Sequence, residues 1–224
     1  MRRIHYFLLL IILYLVQSGC FLKSVHPLVE EENAILYPGL EGIWETDDQR
    51  WTFINDISKF PNLEEFFLAT DAEIDEDDAL DIGNAYMILF EYLEDQKADT
   101  AIFIGAVTEL NEAYFLDLYV FAKSLSKIED SEPTFVDNHF FPVHTFSKIE
   151  IADQVLSIEM FKSSFIRELI SANRVRIKHE KADDTILITA STDELRKFVE
   201  KYAHEEEAFE GATEFTFKGF SHDQ

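Results

Sequence analysis

The chain predicts an α+β fold of mostly antiparallel strands, barrel-like or sandwich, followed by a C-terminal helix–hairpin–helix. Short runs rich in Ile, Phe, Tyr and Val recur between residues 42 and 161, and such side chains suit a pleated, half-buried surface. Several runs are separated by only two or three turn-forming residues, too few for the crossovers that parallel strands need. Beyond residue 163 the apolar spacing changes from two to that of a helix.

In chain order, residues 42–46 and 50–55 are two strands joined by Asp47, Asp48 and Gln49, a hairpin loop. Residues 65–70 fit either a strand or the opening of a helix. The next stretch, 71–81, is acidic at seven of eleven positions. Strands follow at 85–93, 100–109 and 113–120, the last two closed by Asn111-Glu112. Residues 123–136 are polar, carry Pro133 and read as a loop. A further hairpin, 140–151 with 154–161, turns at Ala152-Asp153, and its second strand sets Leu156, Ile158 and Met160 on one face.

The C-terminal part opens with a helix over 164–173, where Phe165, Ile166, Leu169 and Ile170 stand at helical spacing. Residues 175–181 and 185–190 form a hairpin over Ala182, Asp183 and Asp184. Ser191 and Glu194 then make a capping box for a helix with Leu195, Phe198, Val199 and Tyr202 on one face. This unit is too small to bury a core of its own, so residues 41–210 are expected to form one domain, with 211–224 as a tail.

The strands carry large apolar residues, among them Met87, Leu89, Phe103, Phe115 and Phe161, that must face a packed core or line a cavity. An eight-stranded barrel is just wide enough to be filled by side chains or to hold one small ligand. With 7 Gly against 21 Phe, filling is expected.

Charge limits the partners. Lys plus Arg number 19 and Asp plus Glu 44, for a net −25. Loss of a leader containing Arg2, Arg3 and no acid would take this to −27. Such a surface repels phosphate backbones, which excludes nucleic acid, and keeps the chain soluble. A single cysteine, Cys20, leaves no disulfide within the chain.

The N-terminus has the form of an export leader. Arg2 and Arg3 precede an unbroken apolar run of eleven residues, 6–16. A membrane-spanning helix needs about 20 residues, whereas the apolar centre of a signal peptide needs about 7–15. Ser18, Gly19 and Cys20 follow, with Gln17 and Val16 before them. This resembles the lipobox of bacterial lipoproteins, which implies cleavage after Gly19 and acylation of Cys20. It makes residues 1–19 a signal peptide and 20–40 a lipidated tether containing Pro27, Pro38 and the acidic run Glu30, Glu31 and Glu32. Two or three acyl chains hold a protein stably at a membrane where one does not. The implied location is the bacterial cell envelope, outside the cytoplasm, and the absence of Asp at Phe21 leans toward the outer membrane of a Gram-negative cell.

Gly42-Ile43-Trp44 resembles the Gly-x-Trp motif of lipocalins and related calycins, antiparallel barrels that hold apolar ligands and whose Trp packs across the closed end. The segments Ser24-Val25-His26-Pro27, Leu40-Glu41-Gly42-Ile43-Trp44 and Pro142-Val143-His144-Thr145-Phe146 are similar to a set of bacterial lipoproteins, a likeness that carries an address and no mechanism.

Candidate chemistry is sparse. Asp71, Glu73 and Asp75 match the first ligands of a calcium loop, but Glu76 stands where the turn needs Gly and Ile82 where Glu is needed. His139 and His144 have the spacing of no common zinc site, and His179 shares a face with Val175 and Ile177. Asp117 interrupts Phe115 and Tyr119 on one strand face as a candidate buried carboxylate without an identifiable partner. There is no nucleophile elbow and no glycine-rich phosphate loop. No catalytic, cofactor-binding or metal residue is assigned, and Cys20 as lipid attachment is the one site. The expectation is a non-enzymatic, lipid-anchored protein-interaction module. The alternative is a carrier of an apolar small molecule or lipid in a lipocalin-like barrel.

Overall fold

Several strands carry apolar residues on both faces, and that pattern requires cover on both sides of the sheet. The computed structural model, which describes residues 21–56, 82–93, 100–120, 142–182 and 185–220, meets the requirement with a barrel inside and a partly helical layer outside.

The strands are β1 (Lys23–Ser24), β2 (Gly42–Glu45), β3 (Gln49–Ile54), β4 (Ala85–Tyr92), β5 (Thr100–Leu110), β6 (Ala113–Val120), β7 (His144–Ala152), β8 (Val155–Met160), β9 (His179–Ala182), β10 (Thr185–Ile188) and β11 (Thr213–Gly219). The helices are α1 (Ser163–Ser171), between β8 and β9, and α2 (Thr192–Tyr202), between β10 and β11. Eight strands form a closed antiparallel barrel. β2 to β8 run up and down in chain order, β6 pairs with β7, and β11 seals the ring between β8 and β2. Both tight turns, Asn111-Glu112 and Asp153-Gln154, have φ between 50° and 65° at all four residues, the left-handed backbone that two-residue hairpins favour. The second lies one residue later than expected.

Past the point where β8 ends, β1 takes over the same edge of β7: Lys23 and Ser24 pair with Thr145 and His144. β10 runs parallel to β1 and antiparallel to β9, so a small side sheet branches from the barrel wall. α1 buries Phe165, Ile166 and Leu169. α2 starts on the Ser191–Glu194 capping box, with both reciprocal hydrogen bonds present, and buries Leu195, Phe198, Val199 and Tyr202.

These elements create two cores. One fills the barrel interior around Trp44, Phe53, Ile88, Leu116 and Leu156. The other lies between the outer face of β5–β7 and the helices, around Phe115, Phe146, Phe161, Ile166 and Phe198. Of the five strand residues singled out, only Phe103 packs against the barrel interior. Phe115 and Phe161 belong to the outer core, and Met87 and Leu89 lie on the face of β4 opposite Ile88.

Three expectations need correction. Residues 21–40 are not a tether: β1 is in the sheet, and Leu22, Leu28 and Leu40 are fully buried. Residues 211–224 are not simply a tail, because they contain the strand that closes the barrel. For the same reason the helix–hairpin–helix does not follow the strands as a C-terminal unit: the helices and side hairpin are an insertion before the last barrel strand. The acidic run 71–81, the segments 65–70 and 123–136, His139 and everything through Cys20 lie outside the described residues. No helix among the described residues is long and apolar enough to cross a membrane.

Candidate functional site

The two ends of the barrel differ. One end is plugged by residues 35–40, which precede β2. The Ile35 N–H donates to the Val107 carbonyl at 2.8 Å and the Tyr37 N–H to the Tyr86 hydroxyl at 2.8 Å. The Trp44 indole donates to the Leu40 carbonyl at 2.8 Å. Burial pushes the Tyr86 and Tyr37 phenols above their ordinary value. Glycine allows this end to be tight. A Cβ on Gly42, at φ 131°, would stand 2.5 Å from the Phe217 ring and 2.8 Å from the Gly219 carbonyl. A Cβ on Gly105 would collide with Ile88, which with Leu116 fills the barrel's middle.

Among the described residues nothing plugs the other end. A cavity of about 550 Å³ enters the barrel there, walled by Trp51, Phe90, Phe103, Leu118, Ile158 and Phe215, one from each of six strands. That volume is in the range of small-molecule sites, about 300–1,000 Å³. Trp51 meets Phe90 and Phe215 edge-on at 5.3 and 5.9 Å, so the wall is pre-organised by ring contacts. The polar lining is Gln49, Thr145, Thr213 and Glu210. Glu210 is the only charged group among the described lining residues, and no Lys, Arg or His joins it. Phe21 (47% exposed) and Tyr92 (46%) stand at the lip. Residues 94–99 and 121–141, which join strands at this end, lie outside the described residues.

Asp117 is 3% exposed on the outer face of β6. Its Oδ2 accepts the backbone N–H groups of Leu28 (2.6 Å) and Val29 (3.2 Å), and its Oδ1 lies 2.9 Å from His144 Nδ1. A carboxylate only accepts, so Nδ1 is the nitrogen that carries a proton toward Asp117. From α2, Thr192 donates to the Pro27 carbonyl at 2.8 Å and Arg196 to the Leu28 carbonyl at 3.3 Å. Residues 27–29 are thus strapped across the barrel wall from both sides. Beside the strap runs a groove of about 400 Å³ lined by Val25, Val29, Ile104, Tyr119 and the dyad. Among the described residues His144 has no hydroxyl or thiol hydrogen-bond partner, and Asp117 ties residues 28 and 29 to the barrel wall as a clasp.

The sequence had marked Asp117 as a buried carboxylate, and its partners lie 27 residues away at His144 and 88–89 residues away in the strap. His144 pairs with Asp117; His139, with which the spacing grouped it, lies outside the described residues. The His179 ring bonds the Ile177 carbonyl at 2.8 Å. No group of three or more His, Cys, Asp or Glu suited to a metal occurs among the described residues. Trp51, Phe90 and Phe215 were not singled out, although Phe215 and Phe217 alternate with polar neighbours as a strand would. No family model, no curated protein and no solved structure matches this chain.

Proposed function

We propose that the protein is a lipid-anchored, non-enzymatic carrier that holds an apolar small molecule in the open half of its barrel. The observation that carries this reading is the cavity: about 550 Å³, walled by aromatic and aliphatic side chains from six strands, closed below and, among the described residues, open above. The interaction-module expectation assumed a filled barrel, whereas among the described residues side chains fill the plugged half and leave room in the other.

The site of the anchor supports the same reading. Phe21 lines the cavity lip, so acyl chains on Cys20 would be attached one residue from the opening. A barrel held in this way would present its mouth, with Phe21 and Tyr92 exposed at its lip, to the bilayer from which an apolar ligand comes. A flexible tether of twenty residues would have left that orientation free.

The test is native and denaturing mass spectrometry of the protein extracted from membranes. A stoichiometric apolar molecule that leaves only on denaturation is the expected result. Protein free of any such molecule, which also fails to take up a neutral hydrophobic dye, refutes the carrier. Cys20→Ser should move the protein from the membrane pellet to the soluble fraction, and continued pelleting would refute the anchor.

A further inference from the structure

We propose that the cavity selects a neutral amphiphile that enters oxygen first, its hydroxyl or carbonyl hydrogen-bonding Ser147 at the cavity floor. This rests on the carrier reading above and names the class of ligand. Along β7, Thr145 lines the cavity and Ile149 packs in the barrel core. Ser147 lies between them on the same inward face, by strand alternation. Its neighbours across the ladders are Met160 on β8 and Leu116 on β6, and Met160 itself lines the cavity. Ser147 is not itself a lining residue, but its cross-strand neighbour Met160, a flexible thioether side chain that can give way, is.

Ser147 is 0% exposed, and its Oγ has no hydrogen-bond partner among the described residues. Buried hydroxyls are nearly always paired, and an orphan one is a standing cost that a ligand oxygen would relieve. A serine packed among Leu116, Ile149 and Met160 has no packing advantage over alanine, so its placement points to a polar atom arriving from the cavity.

The lining decides the charge of that atom. A carboxylate or phosphate brought inside would meet Glu210 and no cation among the described lining residues, in a chain of net −25. Burial of an unpaired anion is strongly unfavourable. The described lining therefore offers a free fatty acid entering head-first no cation to pair with, and one entering tail-first would leave Ser147 unpaired. A long-chain alcohol, or a ketone or ester with a terminal oxygen, satisfies both constraints.

The experiment uses the full chain and three probes of equal carbon number, octan-1-ol, octane and octanoate, each competing against Nile red. Octan-1-ol should bind about tenfold more tightly than octane, the worth of one hydrogen bond made in a dry site, and octanoate more weakly than octan-1-ol. Ser147→Ala removes a hydroxyl with no partner, so it should fold as stably as the parent. It should bind octane unchanged and lose the preference for the alcohol. Equal binding of octan-1-ol and octane by the parent overturns the proposal, as does an alcohol preference that survives in Ser147→Ala. Octanoate binding as tightly as the alcohol overturns the neutral-ligand part. Failure of Nile red and all three probes to bind refutes the carrier reading instead.

Discussion

Asp117→Ala should destabilise the protein by about 2–6 kcal/mol, the cost of leaving two buried backbone N–H groups unpaired. The structure supplies the reason. The carboxylate takes hydrogen bonds from the amides of Leu28 and Val29, which are 0% and 7% exposed, and from the His144 ring. A hydrogen bond to a charged group is worth about 1.5–3 kcal/mol, and a buried N–H left unpaired costs about 1–3 kcal/mol. These are two views of the same bonds and are not summed. Against a total stability of about 5–15 kcal/mol the loss is large but survivable. Asp117→Asn keeps one oxygen for the two amides and turns its NH₂ toward His144, whose ring can exchange tautomers to accept it. The asparagine variant should lose only about 1–2 kcal/mol. Urea unfolding followed by far-UV circular dichroism measures both values. Hydrogen exchange at Leu28 and Val29 locates the effect, because losing the clasp should free these amides before the barrel opens. An alanine variant within about 1 kcal/mol of the parent, with both amides still protected, would refute the clasp.

Gly105→Ala places a methyl against Ile88 in the filled middle of the barrel, and thermal melts should show a loss of about 1–3 kcal/mol, as overpacking does. Deleting residues 211–220 removes β11 and opens the barrel between β2 and β8; the truncated chain should show no cooperative unfolding transition and should aggregate. Alkaline titration tests the plug. The folded state holds the Tyr37 and Tyr86 protons to higher pH than the unfolded chain does. Their contribution is therefore complete below a phenol's ordinary value, about 10, and is lost as pH rises through the raised values. Tyr86→Phe should make the alkaline fall in stability shallower, and an unchanged slope would show that this phenol does not set it.

The elements that were legible in the sequence are those whose cause is local. The β5–β6 turn needs two residues that accept left-handed backbone, and Asn111 opens it. α2 carries its own cap in Ser191 and Glu194. The strands announce themselves by β-branched and aromatic runs. The segment 21–40 misleads because its buried residues, Leu22, Leu28, Val29 and Leu40, are scattered among prolines and glutamates and obey no period. What buries them is a strap over a barrel wall built from residues far downstream. β11 did carry a signal in Phe215 and Phe217, but a short strand beyond the last clear helix looks like a tail until there is a gap for it to fill. The cavity was illegible for a related reason. Alternation shows which residues turn inward, and only ring closure with a plug at one end decides whether they meet or leave room.

The place of β11 in the chain has a consequence for the order of folding. β2 to β8 can pair in chain order, each with the next, yet Ile43 must wait for Gly219 before the ring is sealed. Until then two strand edges lie open at once, each a template for pairing with another chain. A seal between such distant partners makes closure slow and late. The insertion of α1, the side hairpin and α2 just before β11 lengthens that delay, but it also delivers the cover for the outer wall before the lock arrives. The vulnerable species is therefore a seven-stranded open sheet, already clad on one face, whose fate depends on how soon residues 213–219 reach it.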